Sequence, residues 1–316
     1  MAYVPARQVE HDLWLLDLNF QGTAGVVGAY LVKGPDGHTL IETGPGSTLP
    51  ALRTAVAATG AHFEDIRQLV VTHIHLDHAG ACGTLLRELP EAKLFVHPRG
   101  ASHMIEPTKL LSSAQRIYGE NMQRLWGDFE AVPEDRVVLI DEGDEVDTGF
   151  RTLKALYTPG HATHHLAFVD EEARTAFTGD VGGVRLGHGG YVRPPTPPPD
   201  VDVDAWHCSA DRLRALRLRA LDLTHFGRRF DVAAHLDALS YNLDAWVGWS
   251  AARLAAGADA AAIAAELKQK RARDVLACGG TPQDAVAYEL VTASRMSVDG
   301  LARYLAKHRV LQEQVA

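Results

Sequence analysis

From Thr72 to Gly80 the chain reads THIHLDHAG, so His73, His75, Asp77 and His78 fall within six residues, directly after the apolar run of IRQLVVTH. Imidazole nitrogens and carboxylate oxygens at this spacing are ligands for divalent transition metals. On an extended loop alternate residues project to the same side, so His73 and His75 can share one ion while Asp77 and His78 turn toward a neighbouring one. Three more candidates each follow a strand-like run and are set by a glycine or a short turn: His161 in TPGHATHH, Asp180 in FTGD and His225 in LTHFG. Seven nitrogen and oxygen ligands suffice for two ions, with three imidazoles on the first, an Asp and two imidazoles on the second, and one carboxylate bridging. The donor set suits zinc, which is the expectation, and also suits iron or manganese. Two such ions about 3.5–4 Å apart bring the pKa of a shared water toward neutrality and polarise the bond it attacks, which is the equipment of a hydrolase. A single histidine of this kind is more often a turn cap or a core group; the HxHxDH block with three separately placed ligands is not explained that way.

Elements must bring these groups to one edge. The runs 13–18 (LWLLDL), 25–32 (GVVGAYLV) and 38–44 (HTLIETG) read as a strand meander, 48–60 as a helix ended by glycine, and 66–73 as a buried strand that stops at the histidines. Residues 102–126 are helical in pattern and lie between strand-like runs, which predicts an insertion at about 100–127. Strand signals return at 136–140, 151–158, 164–170 and 174–180. Strands in two groups with helices between and outside predict an α/β fold, an αββα sandwich of two mixed sheets. The proline run of YVRPPTPPPD (191–200) excludes helix and central strand, 204–221 reads as a helix, and the chain from about Asp231 is Ala-rich and helical, punctuated at Gly257, Gly279 and Gly280. The expected organisation is a catalytic domain over 1–230 and a C-terminal helical region over 231–316.

The formal charge of −9 argues against a nucleic-acid binder, which needs basic surface, and leaves a small-molecule substrate as the expected partner. No apolar run has a membrane helix's length, and the N-terminus lacks the pattern of a signal peptide, which predicts no membrane association and a cytoplasmic location. Cys82, Cys208 and Cys278 are too few and too scattered for a disulfide framework and read as reduced thiols. Exposed sheet edges and helices leave a homo-oligomer open.

On THIHLDH, His161, Asp180 and His225, the chain resembles the metallo-β-lactamase superfamily over approximately residues 10–235. That resemblance implies His73, His75 and His161 as ligands of the first metal, Asp77, His78 and His225 as ligands of the second, and Asp180 as the bridge. An Asp bridge is typical of glyoxalase II-like and lactonase-like hydrolases rather than of the antibiotic-destroying members, where a cysteine or serine stands there or nearby. The superfamily's Asp-Thr-Gly motif is here Glu42-Thr43-Gly44, so Glu42 is expected to orient the metal loop through hydrogen bonds.

The resulting expectation is a binuclear-metal hydrolase that uses a metal-bridging hydroxide on a thioester, lactone or similar activated ester, with Asp77 or water returning a proton. An iron-dependent persulfide dioxygenase of the same superfamily is the alternative, and a phosphodiesterase or nuclease a more distant one. Tyr191, Arg185 and Arg193, near the proline run, are candidates for substrate contact, Tyr191 as an oxyanion donor and the arginines as anion anchors. His164 and His165 open a strand and read first as packing groups. The arginines of RLRALRLR (212–219) alternate with leucines and read as a solvated helix face.

Overall fold

The apolar runs of the first half form a sheet whose spatial order follows the sequence. A computed structural model describes residues 3–315, with side chains through residue 307. Strands β1 (Ala6–Gln8), β2 (Leu13–Asp17), β3 (Gly28–Lys33), β4 (His38–Ile41), β5 (Ile66–Val70), β6 (Lys93–Val96) and β7 (Val137–Leu139) make a seven-stranded sheet in that order. Its first half is antiparallel and its second half, from β4 to β7, parallel. β3 is buried at nearly every position because both of its faces are covered, which is why it reads as a continuous apolar run rather than an alternating one.

The parallel half positions the chemistry. Ile41 pairs with Val70, so the chain leaves β4 and β5 at the same sheet edge, and Glu42 N–H donates to Val70 O at 2.9 Å. The Glu42-Thr43-Gly44 turn and the histidine loop therefore emerge side by side. Thr43 N–H donates to His78 O (2.7 Å) and Ala81 N–H to Gly44 O (3.0 Å), lacing the two together.

Internal packing divides the chain into two units, one of residues 1–157 with 164–179, the other of 158–163 with 180–316. The first also holds β8 (Glu145–Asp147), β9 (Thr152–Tyr157), β10 (Leu166–Asp170) and β11 (Thr175–Phe177), joined as antiparallel neighbours. These face the first sheet, with Tyr30 of β3 and Phe177 of β11 meeting edge to face at 5.1 Å. Helix α1 (Leu49–Ala58) lies against β2 and buries Leu52, Ala55 and Val56. After β5 come α2 (Leu76–Ala79) and α3 (Cys82–Glu88), and the expected insertion is α4 (Pro98–Ile105), α5 (Thr108–Tyr118) and α6 (Met122–Trp126).

The second unit holds α7 (Val203–Ala215), the hairpin β12 (Ala220–Leu223) and β13 (Gly227–Arg229), and four helices, α8 (Val232–Ala255), α9 (Ala260–Ala277), α10 (Pro282–Val291) and α11 (Ser294–Val315). Helix boundaries fall at the expected punctuation. Gly257 and Gly279 take positive φ just past α8 and α9, Asp259 caps α9 through the amides of Ala261 and Ala262, and Thr281 with Asp284 forms a capping box on α10. One expected helix is corrected: 204–221 does not continue to its end. α7 stops at Ala215, Arg217 turns to φ +50°, and the chain re-enters as β12. There Asp222, buried, pairs with Arg228 across the hairpin at 2.6 Å, a contact no local pattern announces.

Candidate metal centre

The histidine loop is extended only through His75, which has φ −62° and ψ 153°. Leu76–Ala79 then closes a short helical turn, so Asp77 and His78 project from a helix rather than from the extended loop expected for all four. The turn separates the two pairs in direction while keeping them close. Ligand atoms of His73 and His75 lie within 4.8 Å of each other, as do those of His73 and His78 and those of Asp77 and His78.

A buried hydrogen-bond chain fixes the rings. Thr72 Oγ1 donates to Glu42 Oε1 at 2.5 Å, and a carboxylate can only accept. The single hydroxyl proton being used, His73 Nδ1, 3.0 Å from Thr72 Oγ1, is the donor in that contact. His78 Nδ1 likewise donates to Glu42 Oε1 at 3.0 Å. Both rings are thereby assigned the tautomer that leaves Nε2 with its lone pair, and His73 Nε2 lies 3.0 Å from His75 Nδ1. Glu42 is fully buried and holds φ +63°, a conformation costly for a residue with a Cβ, retained where three donors converge on one carboxylate.

The second unit assembles the remaining three groups by itself. His161 follows Gly160, whose φ of +137° and close approach to the Trp206 backbone leave no room for a side chain. His161 Nδ1 donates to Pro195 O at 2.8 Å, so the proline run fixes this ring, and Nε2 is left facing Asp180 Oδ2 at 3.3 Å. His225 occupies the β12–β13 turn with Nε2 3.3 Å from Asp180 Oδ1. An imidazole lone pair aimed at a carboxylate oxygen is a pairing of two acceptors; a cation between them makes it favourable. The donor set in each unit therefore fits divalent metal, with the tautomers of His73, His78 and His161 set by partners outside the ligand shell, as ligating histidines require.

The loop after Asp180 is held by the helices. Val184 bridges Arg193, Arg185 N–H donates to His225 O at 2.6 Å, and the buried His235 of α8 donates from Nε2 to Gly182 O at 2.7 Å. Burial lowers the His235 pKa to about 4, which keeps that ring neutral. Tyr288 of α10 donates to Tyr191 O (2.6 Å) and accepts from Leu186 N–H (2.9 Å).

The side chains of the three candidates for substrate contact meet groups of the second unit. Arg193 is buried against Tyr288 O, Thr292 and Glu289, Arg185 pairs with Asp231 at 2.8 Å, and Tyr191 packs edge to face on Tyr288 at 5.4 Å. Other residues carry more than sequence reasoning gave them. His165, fully buried, stacks on His73 at 5.0 Å, and Thr72 is the relay between Glu42 and His73. Tyr118, from the insertion, has its pKa raised by burial and by the charge of Asp77, which puts its phenol in the neighbourhood of that carboxylate. For Thr72 the signal was its place at the strand end before His73; for Tyr118 there was none.

Comparison with known proteins is consistent with this geometry. The family model described as the metallo-beta-lactamase superfamily matches residues 22–225. A metallo-beta-lactamase fold-containing protein of Sulfurisphaera tokodaii is 26% identical over 201 residues, 63% of this chain and 72% of that one. The atrochrysone carboxyl ACP thioesterase of Aspergillus fumigatus is 28% identical over 173 residues, 54% of this chain but only 42% of its own length. The solved structure of a metallo-beta-lactamase family protein from Thermus thermophilus aligns with a TM-score of 0.67 over 95% of both chains at 22% identity, a likeness of fold.

Proposed function

The chain belongs to the metallo-β-lactamase superfamily and is a metal-dependent hydrolase, and from that premise we propose that it binds two divalent ions, zinc by preference, and hydrolyses a thioester, lactone or similar activated ester of a small molecule. In this reading His73, His75 and His161 would hold the first ion and Asp77, His78 and His225 the second, with Asp180 shared between them. The ions would supply Lewis acidity, enough to bring a water near its deprotonation point at neutral pH and to polarise the scissile carbonyl. The protein's own part is to hold the ligands: Glu42 and Thr72 lock His73 and His78, and Pro195 locks His161. Asp77, whose side chain is 18% exposed against 6% for Asp180 and 1% for Glu42, or a water would return the proton to the departing group.

The observation that carries the proposal is the pinning of Nδ1 in His73, His78 and His161, which frees three Nε2 lone pairs, that of His78 3.9 Å from Asp77 Oδ1 and that of His161 3.3 Å from Asp180 Oδ2. An aspartate rather than a cysteine or serine at position 180, and a relative named as a thioesterase, favour acyl esters over β-lactams. No helix among the described residues is long and apolar enough to cross a membrane.

The test is a panel of thioester, lactone, phosphodiester and β-lactam substrates on protein purified without chelator. Turnover of thioesters or lactones, abolished by chelator, restored by zinc and lost in His75→Ala, is the expected result. Oxygen uptake with a persulfide, or turnover confined to phosphodiesters, overturns it.

A further inference from the structure

Deep in the second unit two guanidinium groups share one carboxylate. Arg193 and Arg271 of α9 are 1% and 0% exposed. Glu289 Oε1 lies 3.2 Å from Arg193 Nη2 and 3.9 Å from Arg271 Nη1, and it already accepts from Ser294 Oγ at 2.7 Å. Asp274, the other acid whose charge reaches Arg271, is paired with Lys270 at 2.7 Å. Aromatic faces compensate in part: Arg271 Cζ stands 3.6 Å from the Trp246 ring centre and Arg193 Cζ 4.9 Å from that of Tyr288.

The hydrogen-bond inventory is one-sided. Arg271 donates from Nη1 to Ser294 Oγ at 3.0 Å, while its Nε and Nη2 have no partner among the described residues. Arg193 Nε, Trp246 Nε1, Ser250 Oγ, one helical turn beyond Trp246, and the Tyr191 hydroxyl, which interacts with both arginines, are in the same condition. All of these groups can donate, and a buried, unbalanced cation beside unsatisfied donors is among the costlier arrangements a core can hold. Burial and the like charge of Arg193 push Arg271 well below the usual guanidinium range, as expected where one counter-charge is shared.

We propose that the Arg193–Arg271–Trp246 cluster is a binding site for a small inorganic anion of the chloride type. The side chains that would contact it are sealed from solvent, so the occupant is a compact monovalent ion rather than a molecule with a tail reaching outside. The same Arg193 fastens to Tyr288 O and Thr292 O, at 2.7 and 3.0 Å, so the ion braces the loop 184–193 against α9 and α10. This site does not depend on the metal assignment or on the reaction.

The experiment is thermal unfolding of the full chain in sodium chloride or sodium bromide against sodium isethionate at one fixed ionic strength. Tm should rise saturably by several degrees with either halide, since a ligand of the native state stabilises by mass action, and the rise should vanish in Arg271→Met. A Tm that follows ionic strength alone, or a halide shift of equal size in Arg271→Met, overturns the proposal. Anomalous scattering from bromide-grown crystals of the wild-type protein is the second measurement, independent of whether Arg271→Met folds. A bromide peak in hydrogen-bond range of Arg271 Nε or Nη2 supports the site; its absence at a concentration that saturates the Tm effect overturns it.

Discussion

Replacing Glu42 by Gln keeps the side chain's length and shape and removes its charge, which isolates what the carboxylate does for the metal loop. Glu42 Oε1 accepts from Thr72 Oγ1 at 2.5 Å and from His78 Nδ1 at 3.0 Å, and Oε2 from Thr72 N–H at 3.3 Å. An amide oxygen can keep the first two bonds only as neutral ones, and the amide nitrogen then faces the Thr72 amide, donor against donor. A hydrogen bond to a charged group contributes about 1.5–3 kcal/mol against about 1 for a neutral one, so the two contacts together lose about 1–4 kcal/mol. At about 1.4 kcal/mol per tenfold this is roughly a 5- to 700-fold weaker hold on metal, a span that contains the roughly 10- to 100-fold found for groups that orient ligating histidines. The assay is competition for zinc against a chromophoric chelator, with Thr72→Val alongside. Thr72→Val should weaken the His73 ion, because it removes the acceptor of His73 Nδ1. An affinity within threefold of wild type in Glu42→Gln, with the fold intact, would refute the reasoning.

Other consequences concern the scaffold. Arg151 ties Glu10, the buried Asp12 and the buried Asp170, so Arg151→Met should destabilise by about 3–5 kcal/mol in denaturant titration, since it leaves carboxylates buried and unpaired. Burial works to raise the Asp12 pKa, and the Arg151 hydrogen bond and charge override it, so the folded-state value is depressed. That contribution is in force above the unfolded value of about 3.9 and is lost as pH falls through the lower folded value, so the acid limb of stability below about pH 4 should be shallower in Arg151→Met. Gly160→Ala puts a methyl into the Trp206 backbone at φ +137°; it should cost about 2 kcal/mol or more and weaken metal binding through His161, both readable on one purified variant. Burial pushes the Cys82 thiol up to about 12, whereas Cys208 and Cys278 are exposed, so native protein should take two iodoacetamide labels by mass spectrometry and denatured protein three.

The metal loop was legible because HxHxDH is local, and residues so close in sequence cannot be far apart in space. Two facing sheets and a helical C-terminal region followed from periodicity and from Gly257, Gly279 and the caps of α9 and α10. The remainder is set by partners remote in sequence. β12 is four residues long, and Asp222 and Arg228 become a pair only once the hairpin exists. The partners of Arg193, which are Tyr288, Glu289 and Thr292, lie about a hundred residues further on, beyond the reach of any local pattern. Glu42 was recognised as an orienting group, but that it reaches two histidines, one directly and one through Thr72, depends on the parallel pairing of β4 with β5.

Elemental mass spectrometry on chelator-free protein, with His73→Ala and His225→Ala beside wild type, tests the central claim most directly. Two zinc ions per chain, falling to about one in His225→Ala with the fold retained and further in His73→Ala, is the predicted result. A single iron per chain, or a metal content that neither substitution changes, would contradict the two-ion assignment.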